Sequence, residues 1–181
     1  SFDLENVING NNTFVTVGVS GTILTSSDGI TWTSRTSGTS QGLVGVTYGN
    51  STFVAVGGSG TIFTSDNGTT WNAQTSGTSE NLYGVAHANN TFVTGGNGGT
   101  ILTSYDGNNW TARTSGTSNR LYGVTYANDI FFAVGQSGTI LTSSDEVMDN
   151  DSHGIGIKSH ELGLTINGNL TLKDNATIHH G

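Results

Sequence analysis

The chain repeats itself at a fixed step of 39 residues. Phe14, Phe53, Phe92 and Phe131 keep that step. So do Gly21-Thr22-Ile23, Gly60-Thr61-Ile62, Gly99-Thr100-Ile101 and Gly138-Thr139-Ile140. Trp32, Trp71 and Trp110 follow it, as does Thr36-Ser37-Gly38-Thr39-Ser40 with its copies at 75–79 and 114–118. A single period constrains the fold more than any other feature. Each copy must be one supersecondary unit that buries its apolar face against the neighbouring copies.

The second copy shows what that unit is. Leu43-Val44-Gly45-Val46-Thr47-Tyr48 reads as a first strand, closed by a turn at Gly49-Asn50. Thr52-Phe53-Val54-Ala55-Val56 is a second strand, ended by Gly57-Gly58-Ser59-Gly60. Thr61 to Ser65 is a third, Asn67-Gly68 a turn suited to left-handed dihedrals, and Thr70 to Gln74 a fourth strand. The second strand is apolar at nearly every position, which predicts burial on both faces. Stacked sheets arranged around an axis provide that environment. Four strands in a repeat of about 40 residues make the blade of a β-propeller.

Composition agrees with this reading. Gly, Thr, Ser and Asn supply just over half of the 181 residues, none favouring helix, and Pro and Cys are absent. Without cysteine there is neither a disulfide scaffold nor a cysteine-ligated zinc site. Only 10% of the chain is charged, against about 25% ordinarily, and the formal net charge is −8. The five basic residues, Arg35, Arg113, Arg120, Lys158 and Lys173, are scattered among acids, so no nucleic acid partner is expected. No window is long and apolar enough for a membrane span. The start lacks both a signal-peptide pattern and an initiator Met, which suggests a processed chain or a piece of a longer one.

The turn between third and fourth strands carries the most specific motif. Thr64-x-Asp66-x-Gly68-x-Thr70-Trp71 resembles the Asp-box, S/T-x-D-x-G-x-T-W, of sialidase-type propellers. Ser26 to Trp32 and Ser104 to Trp110 look like the same box, with Asp28 and Asp106 as their acids. An Asp carboxylate accepts backbone N–H bonds across such a turn, Gly takes the positive φ, and Trp packs back on the blade. The phrasing Thr-Phe-Val-Ala-Val-Gly followed by Ser-Gly-Thr-Ile also resembles photosystem II assembly-factor-like propellers, over residues 4–145. The expected structural Asp-box residues are therefore Asp28, Trp32, Asp66, Trp71, Asp106 and Trp110.

The fourth copy keeps three strands, Leu121 to Ser144, and then fails: Glu146 stands where Gly is expected and Asp149 where Trp is expected. Leu4 and Val7 stand in phase with Leu43 and Val46. The fold class is thus all-β, with about 3.75 propeller-type blades over residues 1–145. Asp-box propellers normally close with six to eight blades. A compact four-bladed ring, a combination of chains, and missing blades all remain open; an uncovered strand edge favours assembly with other chains.

Residues 146–152 form an acidic linker, and 153–181 read as a short β-rich stem or oligomerisation segment. Leu162, Leu164, Ile166, Leu170 and Leu172 alternate with polar residues, giving one-faced strands that cannot bury themselves alone. Gly154-Ile155-Gly156-Ile157 with the Leu162 to Leu170 run resembles segments of phage tail fibres, in which three chains wrap about one axis. Asp149 to Gly154 is read as linker rather than a calcium loop, because His160 stands at the twelfth position. His179-His180 is read as a solvated terminus, since adjacent side chains rarely converge on one ion.

No catalytic residue, metal or cofactor is expected. A sialidase needs three converging arginines with a Tyr–Glu pair and an acid. Arg35 and Arg113 hold the same outer-strand position, with Gln74 between them, and read as solvent-facing copies. Among aromatic residues, Tyr48, His87 and Tyr126 are equivalent, as are Tyr83 and Tyr122, and Tyr105 stands in a turn. Tyr48, His87, Tyr126 and Tyr105 are the candidate ligand-binding residues, with strand-end packing as the alternative. The functional expectation is a non-enzymatic virion structural module or receptor- or glycan-binding module of tail-fibre or capsid-decoration type. Its partners would be other virion proteins or copies of itself in a trimer, or a host surface glycan, at a virion or extracellular location. The alternative is an assembly-factor-like propeller scaffold that binds another protein; a sialidase-like glycosidase is a further alternative.

Overall fold

The computed structural model describes residues 3–143. The linker at 146–152 and the segment at 153–181, with the oligomerisation role expected of it, lie outside the described residues.

The described chain is all-β and is built of propeller-type blades. The first sheet is β1 (Leu4–Gly10), β2 (Thr13–Gly18), β3 (Thr22–Ser26) and β4 (Thr33–Arg35). The second is β5 (Leu43–Gly49), β6 (Thr52–Gly57), β7 (Ile62–Ser65) and β8 (Asn72–Gln74). The third is β9 (Leu82–Ala88), β10 (Thr91–Gly96), β11 (Ile101–Ser104) and β12 (Thr111–Arg113). The fourth holds β13 (Leu121–Ala127), β14 (Ile130–Gly135) and β15 (Ile140–Thr142). Every sheet is an antiparallel meander in sequence order. The fourth strand of each full blade is shorter than its β-rich sequence suggests, because Trp71 and its equivalents belong to the preceding turn.

Each hairpin between first and second strands closes on two residues with positive φ. They are Asn11-Asn12, Asn50-Ser51, Asn89-Asn90 and Asn128-Asp129. Two left-handed residues match the twist of tight hairpins, and Asn tolerates that region best among residues with a side chain. At the opposite end, a single 3₁₀ turn links second to third strand, as at Gly58–Gly60. Gly60 there has φ of 70°, and a Cβ on it would overlap the Thr78 carbonyl oxygen. Glycine is required for both reasons, which explains the Gly-Thr-Ile repeat.

The first strands of successive sheets pack on one another, β1 on β5, β5 on β9 and β9 on β13, so they are the inner strands. β4, β8 and β12 form the outer edges. The second strands of the second and third blades are almost wholly buried, Thr91–Gly96 at every position, as expected from their largely apolar runs. The core consists of three clusters, each straddling a joint between blades. The first joins Val15, Val17 and Ile23 of one blade to Leu43, Val46, Phe53 and Trp71 of the next. The second joins Val54, Val56 and Ile62 to Leu82, Phe92 and Leu102. The third joins Val93 and Ile101 to Leu121, Phe131 and Leu141.

Candidate binding surfaces

The turn between third and fourth strands is held by one short side chain. In the first blade, Asp28 Oδ1 accepts the N–H groups of Ile30 and Thr31, each at 2.8 Å. Ser26 Oγ donates to that carboxylate at 2.9 Å and accepts the Gly29 N–H at 2.8 Å. The third blade repeats this, with Asp106 Oδ1 accepting from Asn108 and Asn109 at 2.8 Å and Oδ2 accepting from the Asn109 amide at 2.7 Å. In the second blade the acceptor is Asn67, which receives the Thr69 and Thr70 N–H groups at 2.8 and 3.0 Å. The expectation of Asp66 in this role is corrected. The acceptor sits two residues after the serine, and Asp66 is the exposed residue between them, matching Ser27 and Tyr105.

Both carboxylates, Asp28 and Asp106, are favoured as anions. The Thr31 and Ile30 N–H groups, helped by the Ser26 hydroxyl, hold the Asp28 pKa down to about 2. At Asp106 burial is the largest single influence and pushes the pKa up. The Asn109 N–H and side chain, the Asn108 N–H and the Ser104 hydroxyl together outweigh it, bringing the value to about 2. The tryptophans complete the turns: Trp71 Nε1 donates to the Gly68 carbonyl at 3.0 Å and Trp110 Nε1 to the Gly107 carbonyl at 2.8 Å. These turns rest on the preceding blade, Gly68 beside Val15 and Thr25, and Gly107 beside Val54 and Thr64. The Asn67 turn with Trp71 and the Asp106 turn with Trp110 thus brace the joint with the preceding blade, whereas Asp28 ties its own turn.

Tyr48, His87 and Tyr126 occupy one equivalent seat in three successive joints. Their rings lie 4.5 Å from Phe53, 4.4 Å from Phe92 and 4.8 Å from Phe131 respectively. At the first two joints a glycine of the preceding inner strand makes room: a Cβ on Gly10 would overlap the Tyr48 ring, and one on Gly49 the His87 ring, while Ala88 holds that position at the third joint. His87 Nε2 is buried with no hydrogen-bond partner among the described residues, and burial lowers the imidazole pKa. The Tyr126 hydroxyl meets the Asn89 amide and donates to Asp129 Oδ1 at 3.1 Å. Tyr105 is half exposed, and its carbonyl accepts the Asn50 amide at 3.0 Å.

The arginines expected to face solvent also tie strands together. Arg35 Nε donates to Thr25 Oγ1 at 2.8 Å and Arg113 Nε to Thr103 Oγ1 at 2.9 Å. Gln74 does the same to Thr64 at 2.8 Å, so the three side chains share one role in three blades. Two features lie outside the candidates read from the sequence. On the inner strands, Tyr83 and Tyr122 pack with ring centroids 5.6 Å apart and planes tilted by 53°, Tyr122 half exposed and the Tyr83 hydroxyl bonded to Asn97. At the 3₁₀ end, shallow grooves are lined by residues 20–22 with 34–40 and by residues 98–102 with 112–118, the first including Arg35 and the second Arg113. Their signal was the Thr-Ser-Gly-Thr-Ser repeat, whose serines and threonines hold backbone N–H groups of the loop.

The geometry defines an all-β chain of four propeller-type blades in a row, three complete and one with three strands among the described residues. The model of the DUF6242 β-propeller domain family matches residues 1–82, the first two blades and the start of the third. The chain is similar in fold to the computationally designed Ika4 protein, with a TM-score of 0.62 and 15% identity over 77% of this chain and 89% of that one. It is similar to YCF48 from Cyanidioschyzon merolae, with a TM-score of 0.61 and 18% identity over 87% of this chain and 56% of that one. A structure of YCF48 bound to D1 peptide gives 0.59 and 19%, over 80% and 50%. The chain thus spans about half the length of the YCF48 structures. At these identities the likeness bears on the fold. No curated protein matches the chain.

Proposed function

We propose that the chain is a non-enzymatic, protein-binding propeller scaffold. The carrying observation is the Tyr83–Tyr122 ridge, two tilted rings in contact at 5.6 Å across two inner strands with Tyr122 half exposed. Tyrosine offers a flat apolar face and a hydroxyl at little entropic cost, and it is enriched where proteins grip their partners. Asp28, Asp106, Arg35 and Arg113 are engaged in turns and strand pairing, so these four charges are not offered to a partner. The shared fold with a propeller whose structure includes a bound peptide supports the same reading. The reading as a virion module rests on residues 153–181, so the blades favour the scaffold over it.

The test is selection of a random peptide library on the immobilised 181-residue chain. Enriched peptides should lose about 30-fold in affinity on Tyr122→Ala, the effect of removing a hot spot of about 2 kcal/mol. Absence of any enriched peptide, together with glycan-array hits lost on Tyr126→Ala, would overturn this reading in favour of carbohydrate binding.

A further inference from the structure

The two ends of the blade row are halves of a joint that the molecule builds three times internally. At each internal joint the leading face of one blade covers the trailing face of the blade before it. On the leading face, Leu43, Leu82 and Leu121 are 0% exposed, whereas Leu4 at the same position is 50% exposed. Val46 is 4% exposed and its counterpart Val7 57%. Trp71 is 8% exposed and Trp32 36%. On the trailing face, Val17 and Val56 are 0% exposed, and Val134 is 45% exposed. The end faces therefore carry the residue types of a buried joint without its cover among the described residues.

We propose that the leading face of the first blade docks on the trailing face of the fourth blade in a second copy of this chain. The complementarity is already on display, because the same two surfaces meet at every internal joint. The register follows from the third joint. Gly95 holds the place of Val134, and a Cβ on it would lie 3.0 Å from Leu121 Cβ and 3.3 Å from Val124 Cγ2. Leu121 and Val124 correspond to Leu4 and Val7 at three repeats' distance. Val134 of one copy thus meets Leu4 and Val7 of the next. Because the two faces differ, the contact is head-to-tail, and it yields closed rings or open chains of copies according to the turn per blade. It is independent of the protein-binding reading and of any association through residues 153–181.

Cysteine cross-linking of the full chain tests it, since the chain has no cysteine of its own. The Leu4→Cys, Val134→Cys double variant should form disulfide-linked multimers on mild oxidation. Neither single variant should do so alone, but an equimolar mixture of the two should give a linked dimer. Light scattering should show the parent as a multimer and Val134→Glu as a monomer with its β-sheet circular dichroism retained. A parent that is monomeric at high micromolar concentration overturns the proposal. So does a multimer in which the two introduced thiols fail to cross-link, because association then runs through another surface.

Discussion

Replacing His87 with tyrosine should stabilise the protein and remove a pH dependence. The His87 ring is seated between blades, on Phe92 and against Gly49, with Nε2 buried and unpaired among the described residues. Tyr48 and Tyr126 fill the same seat one repeat before and one repeat after. A buried polar atom without a partner costs about 1–3 kcal/mol. A tyrosine would extend its hydroxyl toward the hairpin turn of the preceding blade, as Tyr126 does to Asn89. The gain at pH 7.5 should be about 1–2 kcal/mol. The pH effect has a definite sign. Burial holds the imidazole below its ordinary 6.5, so the unfolded chain takes up this proton before the folded one as pH falls. Stability therefore drops as pH falls through about 6.5 and levels off beneath the folded-state value. His87→Tyr lacks that slope. Urea unfolding of parent and variant at pH 5.5 and 7.5 measures both effects, provided the m-values agree. A variant less stable at pH 7.5, or one with the parent's difference between the two pH values, would refute the reasoning.

Two further expectations rest on the turns. Asp106, held down to about 2, contributes stability that is present above 3.8 and is lost as pH falls toward its folded value. Asn67 accepts the same two backbone N–H bonds without charge, so Asp106→Asn, which gives up the bond from the Asn109 side chain, should keep neutral-pH stability within about 1 kcal/mol and flatten the acid transition. Thermal melts at pH 2.5 and 5 decide it; a variant as acid-sensitive as the parent contradicts the assignment. Gly60→Ala and Gly77→Ala both place a side chain at positive φ, but only the first also runs into a backbone oxygen, while Gly77 has nothing within 4 Å. Gly77→Ala should lose about 1–2 kcal/mol and Gly60→Ala about 1–2 kcal/mol more. Equal losses in chemical denaturation would remove the close approach from the explanation.

The blade architecture was legible because the 39-residue period and the apolar second strands act locally and repeat. Turn type followed from Asn and Gly, and four strands per repeat followed from the runs between them. What escaped was anything that depends on the neighbouring blade. Leu4 and Val7 are in phase with buried residues, yet they are exposed, because no blade precedes theirs among the described residues to pack on that face. Asp66 matched the motif only with one residue more between Ser/Thr and Trp, and hydrogen bonding placed the acceptor at Asn67. Tyr48, His87 and Tyr126 drew attention because they vary, and their variation reflects a seat shaped by another repeat. The Tyr83–Tyr122 ridge pairs two residues whose contact appears only when consecutive inner strands lie side by side.

That seat also dictates how the chain can change. The ring and the glycine that receives it belong to different repeats, Gly10 with Tyr48 and Gly49 with His87. Enlarging the glycine calls for a smaller or shifted ring 38 positions downstream, and no adjustment within its own blade can stand in for that. Compensating substitutions should therefore come in pairs one residue short of the repeat length. Duplicating or deleting a whole repeat leaves every such pair intact at the new junction. A unit cut anywhere else in phase with the period also preserves them, so descent by copying whole blades is the route of least disturbance for this fold.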